Sequence, residues 1–549
     1  MNGFTLSREQ IKAATSSSDH LLIVAPPGCG KTEVLAHRAK YLIDSLEKNQ
    51  YVLALTFTNR ARSNLEERLR AVLGRARARR YIVVRNFHGF AAEIVLAHGR
   101  TIGLDMSNLQ LPKTSTLREA MEKAGGSRET MYAAERMLSD IKRCSFSDPE
   151  VLEELQKKTP EAVRQLAEKV EQTRQKEKQL HYDDLLRHAQ YLLQIPAIAR
   201  LYQAHFGAVL VDEFQDLSLQ QLDLAQLSCT ARQTFAGDQL QGIYSWAGAT
   251  PAEVAAKIFE QSQVIRLHES YRSSPKVLST VNSISEKIDP EARLISAKPD
   301  LWPGGGCSAS IEFSDPMHEA QTLRDLTAEI LERDPEASVG IICRSGWRRK
   351  CIDQAFSAEE RFPVQRWDLA IEDSKNLALI RAAVSALPKG ASIDEARVAT
   401  LSSVDPADVE TREQLDVVFD VLLELSDTST AREAIRTIRT SGSKQNICSG
   451  AHLLSAHTGK GQQFDWVFVV GLEEGHLPDR RNTQGEALEE ERRVLLVMLS
   501  RARHGLVVTR SLTNNGRYGS YPVPESRWWA ELQTDVKSIE ELKAYLEEL

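Results

Sequence analysis

The segment APPGCGKT, residues 25–32, follows an apolar run, LLIVAP, and leads into a helical stretch that begins at Thr32. A glycine-rich turn at a helix N-terminus aims several backbone N–H groups at one point, and the helix dipole adds positive potential there, so it cradles phosphates. Pro27, Gly28, Cys29 and Gly30 make the turn; Lys31 is spaced to reach the outer phosphates and Thr32 to hold Mg²⁺. Ala25 stands where the strict pattern has glycine. A buried strand that ends in such a turn needs parallel neighbours and helical covers, which restricts the chain to an α/β fold.

The surrounding pattern agrees. SREQIKAAT reads as a short helix with Ser7 as its N-cap, YVLALTFT as a second strand and NRARSNLEERLRAVLG as a helix. Strands vanish from about 105 to 200, where segments such as EAVRQLAEKVEQTRQKEKQL read as charged helices, and return with AVLVDEF and QTFAGD. A second alternation opens with QVIRLHES and continues through SVGIICRS, WVFVVG and GLVVTRS, interrupted by helical residues from about 370 to 445. The expected plan is two parallel-sheet units, each with a helical insertion. The first unit takes 1–100 and 201–262 around an insertion at 101–200; the second takes 263–365 and 446–549 around a reduced insertion at 366–445.

VLVDEFQD, residues 209–216, supplies the second chemical anchor. An apolar strand ending in adjacent carboxylates places Asp212 to hold Mg²⁺ and Glu213 to position or deprotonate a water. Together with the phosphate loop it implies hydrolysis of a nucleoside triphosphate, with ATP and Mg²⁺ as cofactors. No further carboxylate–lysine cluster is legible, which disfavours a nuclease. The 549 residues carry 69 Lys plus Arg against 76 Asp plus Glu, a net charge of −7. Non-specific nucleic-acid coats are usually strongly basic, so any nucleic acid must lie in a local groove. The arginine run RLRAVLGRARARR, residues 68–80, has two readings, a DNA-facing flank or a solvated helix face. Seven scattered cysteines without C-x-x-C spacing argue against disulfide and zinc frameworks. The N-terminal residues lack the apolar centre of a signal peptide, and apolar runs are too short to span a bilayer, so the expectation is a cytoplasmic protein with no membrane partner.

Many ordered segments make the chain resemble the superfamily 1 DNA helicases of the UvrD/Rep/PcrA type, from Leu6 to about Leu532. The resemblance implies two RecA-like motor domains and the following roles. In LSREQ, Gln10 would read adenine, and Arg38 in HRAKYLI would touch the nucleotide. TFTNRA, with Phe57, Thr58 and Asn59, and NFHGF, with His88, are similar to segments that touch single-stranded DNA. In GDQLQGIYSWAGA, Gln241 would sense the γ-phosphate while Tyr244 and Trp246 face the strand. In ESYRSS, Tyr271 would stack on adenine and Arg272 meet the γ-phosphate. His457, Thr458 and Lys460 of AHTGKGQQF would link DNA to ATP, with Gln463 near the ribose, and Arg501 of LSRAR would be the arginine finger. Cations from separate segments would then converge on the γ-phosphate, and aromatic side chains would give sequence-tolerant stacking worth roughly 1–3 kcal/mol per base.

Two departures stand out: Ala247 where the family has arginine, and Gln463 where it has glutamate. The second insertion is also short. The resemblance implies a 3′-to-5′ translocase or helicase acting on single-stranded and tailed duplex DNA. The departures favour an alternative, a DNA-stimulated ATPase sensor that regulates a partner nuclease. By size and acidity the chain is also similar to the helicase-like subunit of the Gabija antiphage system.

Overall fold

The computed structural model describes residues 6–104, 121, 125, 127–145, 147–243, 250–344, 348–357, 359–367, 374–404, 412, 415, 418, 419, 430–432, 447–516 and 519–548. The expected α/β architecture is observed as two six-stranded sheets whose described pairs are all parallel.

The first sheet contains β1 (His20–Val24), β2 (Tyr51–Thr56), β3 (Ile82–Asn86), β4 (Phe206–Asp212), β5 (Gln233–Gly237) and β6 (Gln263–Arg266), in the order β3-β2-β4-β5-β1-β6. All seven residues of β4 are buried, as expected for a strand covered by helices on both faces. The capping box at Ser7 and Gln10 starts α1 (Arg8–Ala14) as its sequence predicts. The phosphate loop enters α2 (Lys31–Ile43), while α3 (Asn59–Leu73), α4 (Arg75–Tyr81) and α5 (Phe87–His98) pack near β2 and β3. One boundary moves. QVIRLHES was expected to open the second unit, but β6 pairs in parallel with β1, so the first sheet continues past residue 262. Hydrophobic pattern marks a strand without naming its partner, which is why the break was misplaced.

Two short strands, β7 (Glu269–Ser270) and β8 (Ile295–Ser296), pair with each other between the sheets. The second sheet holds β9 (Cys307–Phe313), β10 (Ser338–Cys343), β11 (Val364–Arg366), β12 (Gly450–Ser455), β13 (Phe464–Val470) and β14 (Ala502–Ser511), in the order β11-β12-β10-β13-β14-β9. The two units share apolar core: Leu240 and Ile243, from just beyond β5, pack in one cluster with Val494–Leu499 and the faces of β13 and β14.

The first insertion is helical where described, with Arg128–Lys142, Glu161–Lys176 and Tyr182–Gln194 among its helices. It contains a carboxylate–lysine cluster that sequence reading missed. Lys142 donates to Glu171 at 3.1 Å and to Asp184 at 2.7 Å, and both lysine and aspartate are fully buried. Arg174 and Arg187 complete the charge balance on Asp184. Asp148, Asp184 and His188 lie close enough to share a cation, but the two guanidiniums already occupy those carboxylates. The cluster is therefore an ion-paired joint, and Gln220 ties it to the first unit by donating to the Lys142 carbonyl at 3.1 Å. Among the described residues no helix is long and apolar enough to cross a membrane.

Candidate active site

Parallel strands bring their C-terminal ends to one edge, so consecutive strands in space deliver their loops to one site. Here β4, β5 and β1 are neighbours, with Val24 beside Gly237 and Asp212 beside Ala236. That register sets the phosphate loop next to Asp212 and Asp238. Gly28 and Gly30 both take positive φ, +86° and +77°, and turn the loop into α2. Gly30 is the N-cap and supplies no side-chain bond, so the first N–H groups of α2 stay available to an anion.

Lys31 lies 3.2 Å from Asp212 and also pairs with Glu213. Burial alone would depress the ammonium, but Asp212 and then Glu213 outweigh it and hold it above the usual lysine range. Glu213 is one of three non-glycine residues with positive φ among those described, at 55°, a strained conformation that recurs at functional sites. Burial would raise its carboxyl, yet Lys31 and Lys460 bring it down to about 2. Asp212 moves the opposite way, raised chiefly by burial against the pull of Lys31. One neighbour was missed by sequence reading although it lies inside VDEFQD. Gln215 donates to Glu213 at 2.6 Å and accepts from the Asp238 backbone N–H at 3.0 Å, orienting the carboxylate.

Cations from beyond the first sheet converge here. Gln241 donates to Asp238 at 3.1 Å and accepts from Arg501 at 3.2 Å. Arg501 is buried and also donates to the Val497 carbonyl at 2.8 Å. Arg272 donates to the Ser500 carbonyl at 3.0 Å, and its buried Nε has no hydrogen-bond partner. Burial lowers this guanidinium to about 10, which leaves it charged at neutral pH. Lys460 donates to both Asp216 oxygens, at 2.6 and 2.8 Å, and to the Gln241 carbonyl at 2.8 Å.

A linker stitches these groups together. The backbone N–H of Tyr271 donates to the Gly28 carbonyl at 2.9 Å, and Ser270 donates to that of Pro27 at 3.3 Å. Two residues on, Ser273 donates to Ala502 at 2.6 Å and the Ser274 N–H to Arg503 at 2.7 Å. The phosphate loop is thus two hydrogen bonds away from the strand that follows Arg501.

The remaining expectations divide. Gln10 is buried against the loop, donating to the Cys29 carbonyl at 2.8 Å and accepting the Ser7 N–H at 2.9 Å. Tyr271 is half-buried and donates to Glu269 at 3.2 Å. Arg38 does not join the site. It is buried, bonded to the Ser16 and Ser18 carbonyls and to Thr234, at the starting ends of β1 and β5. Seven residues along a helix rising about 1.5 Å each carry it roughly 10 Å from Lys31, which the sequence motif alone did not convey. Thr58 caps α3 by accepting the Ala61 N–H at 3.1 Å; Phe57 precedes it half-buried, and Asn59 is the first helical residue. His88 sits in the first turn of α5, and burial takes it down to about 4. His457 also falls to about 4, through burial and then Arg344. Burial thus disfavours the charged form of both rings. Gln463 is exposed beside buried Gln462. Tyr244, Trp246 and Ala247 lie outside the described residues.

The donor set fits a Mg²⁺–nucleotide. Oxygens of Thr32 and Asp212 suit a hard divalent cation, the open helix N-terminus suits phosphate, and the unmet Arg272 Nε–H is a donor that a phosphate oxygen would satisfy.

Comparison with known proteins agrees with this geometry. Residues 6–258 match the UvrD/REP helicase N-terminal domain, and residues 400–513 match the UvrD-like helicase C-terminal domain. DNA helicase II of Salmonella typhimurium is 24% identical over 622 aligned residues, covering 93% of this chain and 85% of that protein. ATP-dependent DNA helicase UvrD2 of Mycobacterium tuberculosis is 26% identical over 571, covering 94% and 80%. ATP-dependent DNA helicase PcrA of Staphylococcus aureus is 21% identical over 616, covering 92% and 83%. With the phosphate loop, the paired carboxylates and the convergent arginines all in place between two parallel sheets, the chain belongs to the UvrD/Rep family of helicases.

Proposed function

We propose that this protein is an ATP-dependent DNA translocase and helicase that moves 3′ to 5′ along single-stranded DNA and opens tailed duplexes. The observation that carries the reading is the linker at 270–274, bonded on one side to the phosphate loop and on the other to the strand that follows Arg501. Lys31, Arg272 and Arg501 reach the same edge from three separate segments, so a nucleotide held there joins the two units, and its loss lets them part.

Thr32 and Asp212 would hold Mg²⁺, which when bound neutralises phosphate charge. The chain's own residues do the rest. Lys31 now neutralises Asp212 and Glu213; when it turns to phosphate oxygens, Glu213 loses the largest cation that keeps its carboxyl near 2. Burial then raises its basicity, and Gln215 keeps it aimed at the attacking water. Arg272 and Arg501 supply positive charge where negative charge gathers, and Gln241 transmits the state of that cluster to the segment that follows it.

The alignment with DNA helicase II supports a working partner. The aligned span of 622 positions exceeds the chain's 549 residues, so DNA helicase II carries segments that this chain lacks. A nuclease in a repair or antiphage complex is the partner we favour.

The test is ATP hydrolysis with and without single-stranded DNA, followed by strand displacement on 3′- and 5′-tailed duplexes. Stimulation with displacement from the 3′ tail is expected. Stimulation without displacement would assign the chain to sensing, and hydrolysis indifferent to DNA would remove the translocase reading.

A further inference from the structure

Between Glu67 and Glu93 the chain has seven arginines and not one acidic residue, although acids outnumber bases overall. Four of these arginines are neutralised: Arg68 by Glu33, Arg70 by Glu66, Arg77 by Asp44 and Arg85 by Glu93. Arg75, Arg79 and Arg80 are exposed on α4 and, among the described residues, have no ion-pair partner. Arg80 additionally lies over the Tyr81 ring, 5.1 Å from its centroid.

Their position separates them from the active site. Arg77 fastens α4 to Asp44, the C-cap of α2. Thirteen helical residues at about 1.5 Å each place that end roughly 20 Å from the phosphate loop. α4 also leads directly into Ile82, which pairs with Val52 at the starting end of β2. The TFTNRA and NFHGF segments lie at the opposite ends of β2 and β3. The three arginines therefore sit on the far edge of the first sheet from the segments expected to hold DNA in the motor cleft. Guanidiniums are weakly hydrated and fork-shaped, matched to phosphate oxygens.

We infer that this corner is a second DNA-binding surface, which takes backbone phosphates of a DNA segment lying outside the motor cleft. The inference rests on the DNA reading proposed above. The six residues of β2, at about 3.3 Å each, separate this corner from the TFTNRA segment by roughly 20 Å, so at about 3.4 Å per base pair DNA that reaches from the cleft to this corner extends about six base pairs further.

The test compares the wild type with the triple variants R75A/R79A/R80A and R75K/R79K/R80K, with melting curves to check the fold. Binding is titrated across salt concentrations on a single strand of about 10 nucleotides, a single strand of about 40 nucleotides and a 3′-tailed duplex. The short strand should bind all three proteins equally and stimulate hydrolysis equally. On the longer DNAs the alanine variant should lose roughly tenfold in affinity and about two to three units of salt slope, with the lysine variant within about threefold of wild type. Loss on the long single strand assigns the surface to trailing single-stranded phosphates, and loss confined to the tailed duplex assigns it to duplex. Unchanged affinity on both long DNAs overturns the inference, as does equal loss on the short strand or equal loss with lysine. If the short strand fails to stimulate hydrolysis by the wild type, the DNA reading itself falls and this inference with it.

Discussion

The Nζ of Lys460 lies 2.6 and 2.8 Å from the two carboxylate oxygens of Asp216, closing an ion pair across the two motor units. The family resemblance assigns Lys460 a DNA-linked role; in this arrangement its ammonium is directed to the first unit, with Gln241 carbonyl as third acceptor. Both groups are nearly inaccessible to water, so the pair acts as a strap that must be rearranged when the units move. Truncating one partner of such a pair costs about 2–5 kcal/mol, much of it from the charge left behind. Lys460→Ala is expected to lower the ratio of DNA-stimulated to basal hydrolysis at least tenfold, with a change of under about threefold in KM for ATP. Steady-state hydrolysis with and without an oligonucleotide checks it, and an unchanged stimulation ratio would discard the strap.

Lys31→Ala should abolish turnover, by roughly 100- to 1,000-fold or more, because the residue is the phosphate loop's only cation. It also removes the one cation that pairs with both buried Asp212 and half-buried Glu213. The variant should therefore melt below wild type in chelator, and Mg²⁺ should raise its melting temperature more than it raises the wild type's. Equal Mg²⁺ shifts in the two proteins would show that Asp212 is not the cation's anchor.

Asp216 sets a pH dependence. Burial lifts its carboxyl from 3.8 to about 6, with Glu213 adding to the rise and Lys460 opposing it. A carboxyl whose folded value exceeds its unfolded value is ionised at the expense of stability above that value, and the protein gains stability as pH falls from about 6 towards 4. The D216N variant should not gain in this window. Melting temperatures of both proteins from pH 7.5 to 4.5 check this, and parallel curves would refute it. The same protonation discharges the strap, so DNA stimulation of hydrolysis should fall below pH 6 in wild type.

Gly28→Ala should damage the linker as well as the loop. A Cβ there would lie 2.4 Å from the Ser270 Oγ and 2.6 Å from the Arg272 Cβ, at φ +86°. Gly→Ala at such a position strains the backbone by about 1–2 kcal/mol before the clash is counted. Nucleotide affinity should fall with the melting temperature; wild-type affinity would mean the linker yields freely. Gly74→Ala, where the Cβ would meet nothing within 4 Å, controls for conformational strain alone.

Much was legible in the sequence. The phosphate loop, the two carboxylates after β4 and the alternation of apolar strands with helices are local patterns, and they were enough to name an α/β chain with a nucleotide site. What depended on strand partnership was not. β6 carries the same apolar signature as a strand of the second unit, and only its pairing with Leu21–Val24 assigns it to the first. Arg38 stands in a motif-like context, yet helix rise carries it to the wrong end of the sheet.

By itself, then, the sequence determined the class of fold and the chemistry, since phosphate cradling and cation binding depend on residue types at short spacing. The tertiary structure alone decided which charges meet. Lys31 on Glu213, Lys460 on Asp216, Arg501 on Gln241 and Arg272 on the Ser500 carbonyl join residues 182 to 260 positions apart or bridge separate sheets. Parallel strand order places these pairs, and electrostatic interaction falls away so steeply with distance that placement, rather than composition, sets their roles.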